Sequence, residues 1–292
     1  PAPSTPAELE AILAQARSAG AEEVVFVRYH GGALNGQYFS AGALAFWVGI
    51  LPWLIIDSLP ICNHAGASAF EAYVVDPRTG ELLARETSLA AYGESVSSWG
   101  YGPDGIMQEM EREAVQALLE AVVRDRQAGW PARRAVPDLA TRLISGGQAQ
   151  LDGDRIAGIG WSLPAMPGWQ IVPPPDGSIA QLRSPSGMTL SVTTETTWQN
   201  PERYPVVSIE GLRRAEGVTV IDESESTLGG RPSRDARSAL PTGMVSYQRI
   251  AAQAGLGLVL TCAAPAALMD AELGQCRAML DGARFEVRTR AH

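Results

Sequence analysis

From about Gly158 to its end the chain alternates short apolar runs with turn residues, and this punctuation constrains the fold more than any other feature. Runs of this length, separated by Gly, Pro, Ser and Asp, are the pattern of consecutive short strands. The last part reads as strand Leu256–Thr261, then Cys262, a helix Asp270–Leu280 carrying Cys276, and an apolar stretch Phe285–Val287. The spacing predicts a small α+β sandwich with no assembled catalytic site.

Before it, Ile156–Leu163 is predicted as one entry strand leading to Pro164, Gly168 and Trp169, with Ile171–Val172 following. Ser178–Arg183 and Met188–Thr194 flank Ser184-Pro185-Ser186-Gly187, a hairpin turn marked by Pro and Gly. A helix is predicted over Val206–Glu216. Strands Val218–Glu225 and Arg234–Leu240 are separated by Leu228-Gly229-Gly230-Arg231-Pro232, and Val245–Ala252 precedes the last strand of an antiparallel sheet.

The front half is organised differently. Thr5-Pro6-Ala7-Glu8 is a capping box with Pro at the first helical position, opening a helix to about Ser18. Val24–Tyr29 is apolar on both faces until Arg28, which predicts a central strand. Phe70–Val75 and Glu81–Thr87 flank Asp76-Pro77-Arg78-Thr79-Gly80, a β-hairpin. Ser88–Gly102 reads as a polar loop. A long helix follows from Pro103 to about Arg126, with Met107, Met110, Ala114, Leu118 and Val122 as its buried stripe, widened by Val115 and Leu119. Gln127–Asp154, rich in Gly and Pro with a short helical piece at Pro137–Ile144, marks a junction. Two domains are therefore predicted, residues 1–150 (with linker 127–150) and 151–292. Each is a mainly antiparallel sheet with helices packed on it.

Composition narrows the function. With 292 residues and 46% hydrophobic residues, a core of ordinary size can form. A formal charge of −9 repels phosphate, so nucleic acid is not an expected partner. All 23 basic residues are arginine, which rules out a Schiff-base lysine and a P-loop lysine. The 3 histidines (His30, His64, His292) are scattered and no CxxC pair exists, so neither a zinc site nor any cofactor is expected. Cys262 and Cys276 are candidates for a disulfide, which would contribute roughly 3 kcal/mol by chain-entropy arithmetic; two buried thiols are the alternative. A disulfide would imply an oxidising compartment. The opening Pro1–Pro6 suits a mature chain whose export signal or lipidated cysteine precedes it, although an arbitrary chain boundary reads the same way.

Residues 31–56 carry no charge and hold Phe46, Trp47, Leu51 and Trp53. They are the candidate binding residues, because tryptophan anchors interfaces. The segment approaches the length of a membrane span, yet Pro52 and two glycines interrupt it and no basic anchor flanks it. It packs in the core or an oligomer interface, touches a membrane, or enters a partner's groove.

Taken together, the strand Ile156–Leu163 with Pro164 and Gly168-Trp169, the helix at Ile209–Arg214 followed by Gly217-Val218, Leu228-Gly229-Gly230-Arg231-Pro232, and Leu256–Thr261 with the terminal helix and Phe285 resemble the PsbP-like fold, including the DcrB-type bacterial lipoproteins. The resemblance covers about 135 residues. It implies an α/β/α sandwich that binds protein partners and has no shared active site. The first domain is similar in outline to small α/β domains of bacterial envelope lipoproteins, on its element order and the Val74–Leu83 hairpin.

Reactive constellations are few. Cys62-Asn63-His64 offers a thiol and a base, but neighbours this close on a strand or turn seldom meet. Asp222, Glu223, Glu225 and Asp235 could gather round a cation, although alternating acids on a strand more often face water. No catalytic or metal-ligating residue is assigned. The expectation is a non-enzymatic bacterial cell-envelope scaffold or accessory, periplasmic or outer-membrane-anchored, that binds a protein partner. A binding module or secretion chaperone for a lipid or apolar peptide is the alternative, and a hydrolase a further one.

Overall fold

The computed structural model describes Pro3 and residues 5–38, 62–96, 103–130, 149–285 and 287–289. Among them are four helices and three sheets. The α+β class predicted from the sequence is observed.

Helix α1 (Pro6–Ser18) begins as its capping box dictates, with Thr5 Oγ1 accepting the Glu8 N–H at 3.2 Å. Strands β1 (Val24–Tyr38), β2 (Cys62–Val75) and β3 (Leu82–Val96) form an antiparallel meander. Helix α2 (Pro103–Gln127) lies across it. The two faces of the meander are divided between the two helices. Leu9 and Leu13 of α1 pack on Phe26, Tyr73, Val75 and Leu82. Met110, Ala114, Leu118 and Val122 of α2 pack on Phe70, Ala72, Val74 and Ala84.

Three expectations need correction here. Strand β1 lies at the sheet edge, not its centre: the order begins β1-β2-β3. Its apolar second face, Val25, Val27 and Tyr29, is exposed. Residues 88–96 continue β3 instead of looping, because the small residues of this stretch pair with equally small ones, Ala67 with Ala91 and Ser68 with Ala90. Such alternation of Ala, Ser and Gly leaves little apolar periodicity to read. Leu119 is exposed and does not widen the buried stripe.

In the C-terminal part, β4 (Gln150–Asp152), β5 (Arg155–Gly158) and β6 (Trp161–Pro164) form a small antiparallel sheet closed by β14 (Arg284–Phe285). The single strand expected at Ile156–Leu163 is thus a hairpin. Gly158, Ile159 and Gly160 turn it, and at Gly158 a Cβ would lie 2.4 Å from the Trp161 ring. The large antiparallel sheet contains β7 (Gln170–Val172), β8 (Ala180–Arg183), β9 (Thr189–Thr196), β10 (Thr219–Leu228), β11 (Arg231–Ala239), β12 (Met244–Gln253) and β13 (Leu256–Pro265), in the order β10-β11-β12-β13-β9-β8-β7. Alternation along β12 divides its faces. Ile250 and Ala252 meet helix α3 (Arg203–Arg214) through Tyr204 and Ile209. Val245, Tyr247 and Ala251 join the main core with helix α4 (Ala266–Asp281). This is the α/β/α sandwich the sequence predicts. Gly257 lets α3 seat, since a Cβ there would fall 2.3 Å from the Tyr204 ring.

The two halves touch. Ala67, Leu89 and Ala91 of the first sheet belong to the same buried cluster as Leu258, Leu260 and Phe285. After β14, strand β15 (Arg288–Thr289) crosses to the first sheet and pairs parallel with Ala90–Ala91 of β3. Gln150 Nε2 donates to Tyr73 Oη at 3.0 Å across the same junction.

Candidate functional site

A groove of about 820 Å³ lies beside α2. Its origin is geometric. Consecutive residues on a helix are turned by about 100°, so Val115, Leu119 and Val123 form a second apolar row beside the buried Ala114–Leu118–Val122 row. Val115 is half-buried against the core, whereas Leu119 and Val123 are exposed. The helix covers β2 and β3, and β1 extends past it. Val25, Val27 and Tyr29 pair with Val74, Ala72 and Phe70, whose side chains contact α2, so they line the same sheet face. Tyr29 of β1 contacts two of the lining residues. Its ring lies 4.9 Å from that of Phe70, and its hydroxyl donates to Glu111 Oε1 at 2.7 Å. That bond to a carboxylate, with burial, pushes the Tyr29 phenol up. The rim alternates in sign, with Glu111, Arg112, Glu120 and Arg124.

Both deeply buried acids are committed to arginine. Glu71, fully buried on β2, accepts from Arg85 Nε at 2.6 Å and lies 3.1 Å from His30 Nε2. Burial alone would raise its carboxyl, but the His30 and Arg85 contacts outweigh this and hold it at about 2, against an ordinary 4.5. Asp235, on β11, takes a bidentate pair from Arg249 on β12 and a 2.6 Å hydrogen bond from Tyr247. Arg249 also reaches Asp281 at the end of α4, at 2.7 Å. Arg277 of the same helix stacks over the Tyr247 ring at 5.1 Å. These groups tie α4 to the sheet.

Cys262 and Cys276 form a disulfide, as expected, with Cα atoms 6.3 Å apart. Cys262 lies within β13 and not after it. Asp235 turns inward to Arg249, while Glu223 pairs with Arg213 and Arg234 on the exposed side. The four acids therefore do not converge. Among the described residues no His, Cys, Asp and Glu cluster could hold a metal, and no helix is long and apolar enough to cross a membrane. Cys62 and His64 lie on β2, opposite Val96 and Glu94. Phe46, Trp47, Leu51 and Trp53 lie outside the described residues. The sequence reading places Leu119, Val25 and Val27 inside and assigns Val123 no role; all four are exposed. The one available signal was a stripe on α2 wider than two strands can cover.

No protein-family model matches the chain, and no curated protein matches it. The chain is similar to the solution structure of cyanobacterial PsbP (CyanoP) from Synechocystis sp. PCC 6803, at 10% identity and TM-score 0.32, over 43% of this chain and 86% of that one. It is similar to LpqN of Mycobacterium tuberculosis, described as involved in cell envelope biogenesis, at 15% identity and TM-score 0.37, over 43% of this chain and 83% of that one. A putative regulator from Pseudomonas aeruginosa is similar at 8% identity and TM-score 0.30, over 51% of this chain and 88% of that one.

Proposed function

We propose that this chain is a non-enzymatic accessory protein of the bacterial cell envelope that holds an amphipathic helix of another protein in the groove between α2 and β1. The observation that carries the reading is the exposed Leu119–Val123 row of α2, which lines the groove, with exposed Val25 and Val27 on the same sheet face. A helix is about 10 Å wide and strands are about 4.8 Å apart. One further helix laid beside α2 therefore rests on β1 and overhangs the sheet edge by about half its width. The lining residues of α2 run from Gln108 to Gln127, about 28 Å at 1.5 Å per residue, the length of a helix of five turns. A rim with two Glu and two Arg favours a partner carrying both charges over an anionic lipid surface, which calls for a basic one.

The reading without catalysis is supported by the state of the buried acids. A carboxyl held at about 2 and paired with arginine is poorly matched to proton transfer near neutrality. The fully buried disulfide supports an oxidising compartment. Phe46, Trp47, Leu51 and Trp53 remain candidate contacts for the same partner.

A photo-crosslinking residue at position 119, activated in living cells, tests this. The captured peptide, identified by mass spectrometry, should be an amphipathic helical segment of a different protein. Capture of lipid, of a second copy, or of the chain's own residues 39–61 would overturn the proposal.

A further inference from the structure

Independently of the groove, we infer that the cavity at the fork of the C-terminal segment is a binding site for a small anionic ligand, anchored by Arg231 and Arg284. The segment leaves the small sheet at Phe285, opposite Trp161, and reaches β3 at Arg288, opposite Ala90. Between these two anchor points a cavity of about 450 Å³ opens against Thr87–Leu89 of β3. That volume is in the range of small-molecule sites, roughly 300–1,000 Å³.

Its charge is out of keeping with the protein. The chain carries 32 acids against 23 arginines, so an arginine has many potential partners. Arg213, Arg234, Arg237 and Arg249 all pair with them. Arg231 and Arg284 both line the cavity, and among the described residues neither has an acidic partner. Two guanidinium groups lining one cavity make its wall positive, and an anion between them is favoured.

The fold places both on the cavity wall. Gly229-Gly230, both at positive φ, turn β10 into β11 and place Arg231 first on the new strand. A Cβ on Gly229 would sit 3.6 Å from Phe285 N and 3.8 Å from Arg284 Cα, so this turn lies directly against β14. Arg284 in turn pairs with Ser162 across β6, which fixes it on the cavity wall. A second observation concerns Gln253. It lines the cavity, is 5% exposed and donates Nε2 to Val287 O at 2.6 Å, while its Oε1 has no hydrogen-bond partner. A buried orphan acceptor is costly and takes a donor when one is offered. A ligand with a hydroxyl beside its anionic group satisfies both features. The shared chemistry is a carboxylate or a phosphate.

The test is isothermal titration of the full chain with citrate and, separately, with inorganic phosphate, each against sodium chloride of matched ionic strength. One of the two should bind saturably at one site per chain, and which one does assigns the anion. Arg231→Gln and Arg284→Gln should each weaken it about tenfold, and Arg203→Gln, on α3, should not. Circular dichroism melting of each variant separates lost binding from lost fold. Absence of saturable binding of either anion, or equal affinity in both cavity variants and wild type, would overturn the inference.

Discussion

Arg249 and Asp235 face each other on adjacent strands as a bidentate pair, Nε to Oδ1 at 2.7 Å and Nη2 to Oδ2 at 2.8 Å, both buried. Removing one partner strands a charge where water cannot reach it. Arg249→Met should therefore cost about 3–5 kcal/mol in urea unfolding. Asp235→Leu combined with Arg249→Met should cost less than the two single changes summed, because no orphan charge remains. Additive losses would show that the pair is not coupled.

Acid should act through Glu71. Its folded value of about 2 lies below the ordinary 4.5, so the group stabilises the fold fully above pH 4.5, and that contribution is lost as pH falls towards 2. Linkage puts the loss at roughly 3 kcal/mol. Glu71→Gln should be less stable at neutral pH, since Arg85 loses its counter-charge, and its stability should fall less steeply over the same acid range. Denaturant unfolding at a series of pH values reads both effects.

The disulfide should be protected and worth having. Both sulfurs belong to residues with no exposed surface, so a reductant should act on the folded chain only as fast as the core opens. The Cys262→Ala/Cys276→Ala variant should lose about 3 kcal/mol for this 14-residue separation. A denaturation midpoint equal to that of wild type would contradict this.

The two rows of α2 should respond oppositely to charge. Leu118→Glu buries a carboxylate at a position 1% exposed and should prevent folding at ordinary temperature. Leu119→Glu, at a position 51% exposed, should leave the melting temperature nearly unchanged, within about 0.5 kcal/mol of stability. Circular dichroism melting of the pair distinguishes a groove from a hidden core.

Local rules made much of the architecture legible. Thr5-Pro6-Ala7-Glu8 starts α1 where expected because a capping box is satisfied within four residues. The hairpin turn Asp76–Gly80 holds because Gly80 takes positive φ and Arg78 N donates to Asp76 Oδ1 at 2.8 Å. The alternation of β12 and β13, and the helix that follows, placed the sandwich, and Cys262 and Cys276 within it. The reading failed where small residues pair with small ones, as in residues 88–96, and where a two-faced apolar strand was taken as central.

Taken alone, the sequence determined most of the helices and strands and the acidic, arginine-only composition, since caps, turn glycines and strand alternation act over a few residues. Tertiary structure decided which strand became the edge, which row of α2 stayed exposed, and which cavity Arg231 and Arg284 came to line. Those outcomes depend on how many strands one helix can cover and on contacts between residues far apart in the chain. No short-range pattern encodes them.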